Sequence, residues 1–452
     1  MYRTAVCLIV FVLCFGARAI GQEWNVGIAT VKITPDEPVR MSGYASRTRP
    51  FAGVNDDLYA KALAIEDAQG HRAVIVTTDL IGFTSAVAEP ICRQITEKTG
   101  LSRQQILLNS IHTHSAPTLS VDAKPHDDFS ADDAKRTAAY TRVLQDKIVD
   151  LAARALAKLS PAQLSAGTGV ATFVMNRREV TKDGIILGFN PRGLVDRSVP
   201  VLRVDDADGK LRAVLFICAC HNTTLGPNNL LISGDYGGYA QRAIEKQHPG
   251  VTALMMLGCA GDANPHPRGA MEMARDHGET LGKEVSRVLA EKLKPIRGTL
   301  KTAMEQVALP LADPPPRDEL ETMAKSGPGY KQGVARDMLA LLDKGEKIPT
   351  HYTAPLALWQ LGDDLTLVAL PGEVVADYVP LLDRALGPLD LWVAAYSNDV
   401  FGYLPSARVI EEGGYETRGI YSGGPGFFSP KAQGVVVGAV QGMARKAGRR
   451  IP

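Results

Sequence analysis

The strongest constraint in this 452-residue sequence is a pattern that recurs six times: an apolar run of strand length ends in polar, chemically capable residues. Ala73–Val76 leads into Thr77, Thr78 and Asp79, and Ile106–Leu108 into Asn109, Ser110, Ile111, His112, Thr113 and His114. Ala213–Ile217 leads to His221, Asn222, Thr223 and Thr224, and Ala253–Leu257 to Gly258, Cys259, Ala260, Gly261 and Asp262. Leu365–Leu370 leads to Pro371, Gly372 and Glu373, and Leu391–Ala395 to Tyr396, Ser397, Asn398 and Asp399. Unbroken runs rich in Val, Ile and Leu are what strands covered on both faces look like, because an exposed face would impose alternation. Helical periodicity lies between several of them: over Val87–Lys98, with Gly100 as a C-cap, over Ala131–Leu159, and over Asp276–Leu293. The expected fold is therefore α/β, with mixed β-sheets flanked by helices. Sites in such sheets form beyond the carboxyl ends of strands. Any one run could end in ordinary turn residues; six together, three histidines among them, point to one shared site.

Composition adds exclusions. Hydrophobic residues at 45% and charged residues at 22% are ordinary for a globular protein. Lys+Arg is 50 against 49 Asp+Glu, so charge gives no reason to expect nucleic acid or anionic membrane as partner. A small-molecule or lipid substrate is the expected partner, and the oligomeric state stays open.

The N-terminus reads as a signal peptide over residues 1–19. Arg3 gives the positive start, Ala5–Phe15 the apolar run, and Ala17-Arg18-Ala19 the cleavage site. The run is shorter than the ~20 residues a membrane span needs, and no later segment is an uninterrupted apolar span. A periplasmic or secreted protein is expected, with a single catalytic domain over residues 22–452. Within it, Leu309–Thr350 carries Pro314, Pro315 and Pro316 and then a charged stretch from Arg317 to Lys347. This reads as a helical surface excursion around 310–350, a solvated helix rather than a lid. Cys92, Cys218, Cys220 and Cys259 follow the signal; Cys218 and Cys220, two apart in a strand-like run, point the same way and read as small buried hydrophobes.

His112-Thr113-His114 is the sharpest local feature. Residues two apart in an extended segment share a face, so both rings reach one centre, one as ligand and the other as a supporting or substrate contact. His221 and Glu373 stand at comparable strand ends. Imidazole nitrogen and carboxylate oxygen are zinc ligands, and a catalytic zinc keeps a position open for water. Asp79, Asp235 and Asp262 are candidates for orienting the ligating rings. His71, His126, His248, His277 and His351 lie in polar stretches and are expected at the surface, while His266, after Asn264-Pro265, is a pocket candidate.

Several blocks in order resemble the neutral/alkaline non-lysosomal ceramidase family. They are Gly27-Ile28-Ala29 through Ile33-Thr34-Pro35, Met41-Ser42-Gly43-Tyr44-Ala45, Ala64-Ile65-Glu66-Asp67 through Thr77-Thr78-Asp79, and His112-Thr113-His114-Ser115-Ala116-Pro117. Gly258–Pro265, Leu370-Pro371-Gly372-Glu373, and Tyr403 with Tyr415-Glu416 twelve residues on complete the set, which spans roughly residues 24 to 425. The resemblance implies one zinc ion per chain held by His112, His221, Glu373 and Tyr403. It implies substrate contacts at His114, Arg177 and Tyr415, with Arg177 anchored only by Asn176-Arg177.

Two departures stand out. The family's proposed serine falls on Asn264, and an amide cannot be that nucleophile. Water activated by the metal is then expected to attack, with Asn264 orienting substrate or oxyanion. The larger members also carry a C-terminal immunoglobulin-like domain, which this chain is expected to lack. Both weaken ceramide as the substrate without touching the metal set. The implied activity is zinc-dependent hydrolysis of an amide in an N-acyl sphingoid or related lipid. The alternatives are a non-lipid amide or ester, such as a sugar-derived one, and a degenerate exported binding protein.

Overall fold

In the computed structural model, which describes residues 24–125, 129–363, 365–387 and 390–451, alternate residues of each apolar run face two different cores. Leu215 and Ile217 point into one cluster, while Val214 and Phe216 of the same strand point into another. Leu367 and Val368 divide in the same way, as do Ile75 and Val76. Period-2 geometry with apolar residues at every position requires cover on both faces.

Two sheets supply half of that cover. A nine-stranded mixed sheet includes Trp24–Lys32, Tyr59–Asp67, Arg72–Thr78, Ile106–Ser110, Ser160–Val170, Ser198–Asp206, Leu211–Cys218 and Thr252–Leu257. A four-stranded sheet is built from Leu300–Pro310, His351–Leu361, Leu365–Ala369 and Leu391–Ala394. Between them lies a shared core holding Trp24, Ile65, Leu254, Trp359 and Trp392. Helices cover the outer faces. Ser85–Thr99 and Ala131–Ala157 pack Ile91, Ile148 and Leu151 against the first half of the large sheet. Asp235–Gln247 and Met271–Leu289 cover its second half, and Lys431–Lys446 lies on the smaller sheet. The result is four layers: helices, sheet, sheet, helices.

All six runs are strands in the structure. The helix over 85–99 ends as its glycine implies: Gly100 sits at φ +77° and its N–H bonds to Thr96 O at 2.9 Å. The four cysteines are buried and free. His277 departs from expectation. It is buried on the apolar side of its helix, its ring 4.7 Å from that of Phe173 and its Nε2 bonded to Pro267 O at 2.7 Å. The excursion around 310–350 is two helices with a small core of their own. Helices Arg317–Ser326 and Gly329–Asp343 pack around Leu320, Val334, Ala335 and Met338, and Tyr330 places its ring 5.5 Å from that of Tyr415. Most of the other residues of both helices stay exposed or half-buried, as expected of a surface excursion. His126 and the cleavage region before Trp24 lie outside the described residues. Among the described residues no helix is long and apolar enough to cross a membrane.

Candidate active site

Parallel pairing decides where the site falls. Arg72–Thr78 pairs in parallel with Ile106–Ser110, Leu211–Cys218 with Thr252–Leu257, and Leu365–Ala369 with Leu391–Ala394. Each pair ends its strands side by side, and the turns that follow carry the chemistry. Asn109 ties three of them together: its Nδ2 donates to Ala395 O at 2.7 Å, and its Oδ1 accepts from Leu257 N at 2.9 Å. Asn222 does the same one turn on, donating to Ile111 O at 2.6 Å and accepting from Gly237 N at 2.7 Å.

His112, His114 and His221 offer nitrogens that all lie within 4.8 Å of one another. Glu373 Oε2 lies 3.0 Å from His221 Nε2 and 3.3 Å from His112 Nε2. His112 holds φ at +60°, uncommon for a residue with a side chain. A short parallel pairing makes Glu373 and Tyr403 register partners.

The tautomers follow from the backbone. His112 Nδ1 donates to Ile81 O, and His221 Nδ1 donates to Ala260 O at 2.6 Å. Carbonyls therefore orient both rings, not carboxylates. Asp79 is taken by Gln241 and Tyr59 N, Asp235 by Leu225 N, and Asp262 by Asn176 and Ala376 N. With Nδ1 taken by a carbonyl, Nε2 is the nitrogen that each ring turns toward the centre where Glu373 also points. Burial, with Arg177 next, pushes His221 down to about 4, so that ring is neutral. Acceptor atoms facing one another at about 3 Å repel unless a positive charge lies among them. The donor set therefore fits a metal ion.

His114 closes the group. Its Nε2 lies 3.2 Å from His112 Nε2, and its Nδ1 is buried without a partner. Burial first, then His112 and His221, hold it far below the usual imidazole range. Gly43 sits at φ +97°, and a Cβ there would fall 2.4 Å from His114 Cγ, so the ring is seated only because position 43 has no side chain.

Arg177 is buried and organises the other side. Nη2 donates to Tyr403 Oη at 2.9 Å and Nε to Glu416 at 2.9 Å, while Nη1 lies 3.4 Å from both His221 Nε2 and Asn264 Oδ1. Glu416 also accepts from Arg178 at 2.7 Å, bridging two consecutive arginines. Thr223 Oγ1 bonds Asn264 Oδ1 at 3.1 Å. Because Arg177 only donates, the Asn264 oxygen must face it, which leaves the amide N–H donors for the cavity.

That cavity is about 410 Å³. His114, Arg177, Asn264, Tyr403 and Tyr415 line its floor, and His266 stands at its side, 4.5 Å from the Phe189 ring. Met175, Leu187 and Phe189 form an apolar lip on the hairpin Val174–Thr181/Gly184–Asn190. The structure thus brings together all eight site residues expected from the sequence. It adds four that sequence reasoning did not name as site residues: Glu416; Tyr396, 4.5 Å from the His112 ring; Tyr421, which donates to Glu373 at 3.0 Å; and Arg418. Tyr396 carried a signal as the first residue after an apolar run, and Glu416 one in the Tyr415-Glu416 block.

Known proteins share part of this sequence and its fold. The chain is 28% identical over 277 residues to a neutral ceramidase of Pseudomonas aeruginosa, covering 57% of this chain and 39% of that protein. It is 26% identical over 272 residues to neutral ceramidase A of Dictyostelium discoideum, covering 55% and 37%. The matches thus span about two fifths of these relatives' length. The fold is similar to the crystal structure of neutral ceramidase from Pseudomonas aeruginosa, with a TM-score of 0.72 at 21% identity over 95% of this chain and 75% of that one. The sequence model for the N-terminal part of neutral/alkaline non-lysosomal ceramidases matches residues 24–271, more than half of the chain, and the chain belongs to that family.

Proposed function

We propose that this protein is an exported zinc-dependent hydrolase that cleaves the amide of an N-acyl sphingoid or related lipid. The observation that carries the reading is the convergence of His112 Nε2, His221 Nε2 and Glu373 Oε2 beside an open cavity. Tyr403 stands in register with Glu373 as a fourth donor. When bound, zinc supplies a Lewis acid and makes water a nucleophile near neutral pH.

The chain's own groups do the rest. Asn264 presents N–H donors to the cavity, where they stabilise negative charge developing on the scissile carbonyl oxygen. Arg177, fixed by Glu416, adds positive charge beside it. His114 is held neutral by burial and its neighbours, so it meets the substrate as a neutral hydrogen-bonding imidazole, and the proton of the attacking water passes to the leaving amine. Tyr415 bounds the floor 5.5 Å from Tyr403, ring to ring. At the mouth, Leu187 and Phe189 are 51% and 43% exposed, a surface along which an acyl chain leaves the cavity.

A second reading, a small non-lipid amide, draws support from the cavity itself. About 410 Å³ is near the lower end of the ~300–1,000 Å³ usual for ligand pockets, and its floor is polar. Export rests on the N-terminal sequence pattern alone.

The test is zinc analysis of purified protein followed by hydrolysis assays on a ceramide analogue and an acetylated amino sugar. Bound zinc with ceramide cleavage is expected. Cleavage of the sugar amide alone favours the second reading, and absence of metal after zinc addition removes both.

A further inference from the structure

The two carboxylate oxygens of Glu373 have different partners. Oε2 lies 3.0 Å from His221 Nε2 and 3.3 Å from His112 Nε2. Oε1 instead accepts from Tyr421 Oη at 3.0 Å, its hydrogen-bond donor among the described residues.

The backbone sets this pairing. Glu373 N donates to Gly402 O at 2.8 Å, and Tyr421 N donates to Phe401 O at 2.9 Å. The carboxylate and the phenol thus hang from two consecutive residues. Gly402 is bridged to Ile420, and at its φ of +154° a Cβ would fall 2.8 Å from Gly419 O. The loop that carries Tyr421 comes this close because position 402 has no side chain. The Arg418 guanidinium lies 5.2 Å over the Tyr421 ring and helps to hold it in place.

Packing does not account for a tyrosine at this position. The residue is 43% exposed, so its ring adds little to any core, while its hydroxyl is committed to a buried carboxylate. A hydrogen bond to an ionised oxygen is among the stronger ones. A carboxylate free to rotate can offer an ion either oxygen or both; an oriented one offers a single atom at a fixed place. We propose that Tyr421 is a positioning residue for the metal: its hydroxyl holds Oε1 so that Glu373 presents Oε2 to the ion beside the two histidines. Partners of this kind orient the ligating groups and tune metal affinity. The inference rests on the zinc reading and adds to it a residue outside the cavity lining.

Metal binding tests this without any substrate. Zinc affinity is measured by competition with a chromophoric chelator in the parent protein, in Tyr421→Phe and in Tyr415→Phe. Tyr421→Phe keeps the ring beneath Arg418 and removes only the donor, so zinc should bind about 10–100-fold more weakly, the usual cost of losing such a partner. The visible bands of bound cobalt(II) follow the number and arrangement of its ligands, and they should shift in the same variant. Tyr415→Phe removes the acceptor of Arg418 Nη1, 2.7 Å away, and so loosens the same loop without touching Glu373. It should leave zinc affinity and cobalt bands as they are in the parent. Equal affinity and equal bands in Tyr421→Phe and the parent overturn the inference. So does an equal loss in both variants, since loosening of the loop then explains it. A parent protein that takes up no zinc removes the zinc reading, and the inference with it.

Discussion

The ring of Tyr396 lies 4.5 Å from that of His112, and both residues hold φ in the left-handed region, at +52° and +60°. Non-glycine residues in that region cost on the order of 1–3 kcal/mol and persist where surrounding structure fixes them. Here the fixing contacts are His112 Nδ1 on Ile81 O and Tyr396 N on Gly372 O at 3.0 Å. The Tyr396 hydroxyl is buried without a partner. An unsatisfied buried hydroxyl costs ~1–3 kcal/mol, so Tyr396→Phe should raise the stability of metal-free protein by about 1 kcal/mol in urea titration. A loss of similar size would mean that the hydroxyl already has a partner in solution.

Glu416 holds two buried guanidinium groups at once. Removing one member of a buried charge network strands the others and costs ~3–5 kcal/mol. Glu416→Ala should lower unfolding free energy by about that much, and Glu416→Gln by less. Denaturant midpoints within error of the parent protein would refute the bridge.

Asn264→Ala tests the oxyanion role. Turnover should fall about 10²–10³-fold, the usual cost of one such donor, without loss of bound metal. His112→Ala should lose both. If Asn264→Ser instead creates strong ceramide hydrolysis in a protein that is otherwise inactive, attack by water is the wrong mechanism.

Asp399 gives a pH test away from the histidine cluster. Burial raises its carboxyl to about 6, opposed by hydrogen bonds from Tyr352 Oη and Ser85 N. Between the unfolded value near 3.8 and about 6, the folded state keeps a proton that the unfolded state has lost. Its contribution is therefore full below the unfolded value and lost as pH rises through about 6. Asp399→Asn cannot titrate. Relative to that variant, the parent protein should lose on the order of 2–3 kcal/mol between about pH 4 and pH 7. A difference that stays flat across the range rules the raised carboxyl out.

The N-terminal pattern predicts cleavage after Ala19 or within a few residues of it. N-terminal sequencing of secreted protein checks this, and material that retains Met1 contradicts it.

The doubly buried strands were legible because cover on both faces writes short unbroken runs rich in Val, Ile and Leu. Leu211–Cys218 and Leu365–Ala369 announce themselves in this way. Ser160–Val170 does not: most of its side chains are exposed or half-buried, so it shows no clean alternation. The hairpin Val174–Asn190 was hidden for the opposite reason, since it leaves apolar Val180, Ile186 and Leu187 in the open, where pattern reading expects polar residues. His277 was misjudged from its polar neighbours, although Ala274, Leu281 and Val285 mark its helix face as buried. In the site, His112, His221 and Glu373 could be read from strand ends. Arg177, Tyr403 and Tyr415 came only with the family resemblance, because they follow no apolar run. Arg418 and Tyr421 had no signal, since each is defined by neighbours that only the tertiary fold supplies.

Glu373, its hydrogen-bonded Tyr421 and its register partner Tyr403 come from the last part of the chain. His112 and His221 therefore meet Glu373 only after the smaller sheet has docked on the larger one. Contacts between residues so far apart in sequence form late and slowly. An ion that requires all three donors binds the finished fold and not its precursors, so its free energy adds to the stability of the native state alone. Under the proposed zinc reading, uptake of the ion during refolding would act as a clock for sheet docking: it should lag the recovery of strand and helix signal, and a fragment ending before Glu373 should never start it.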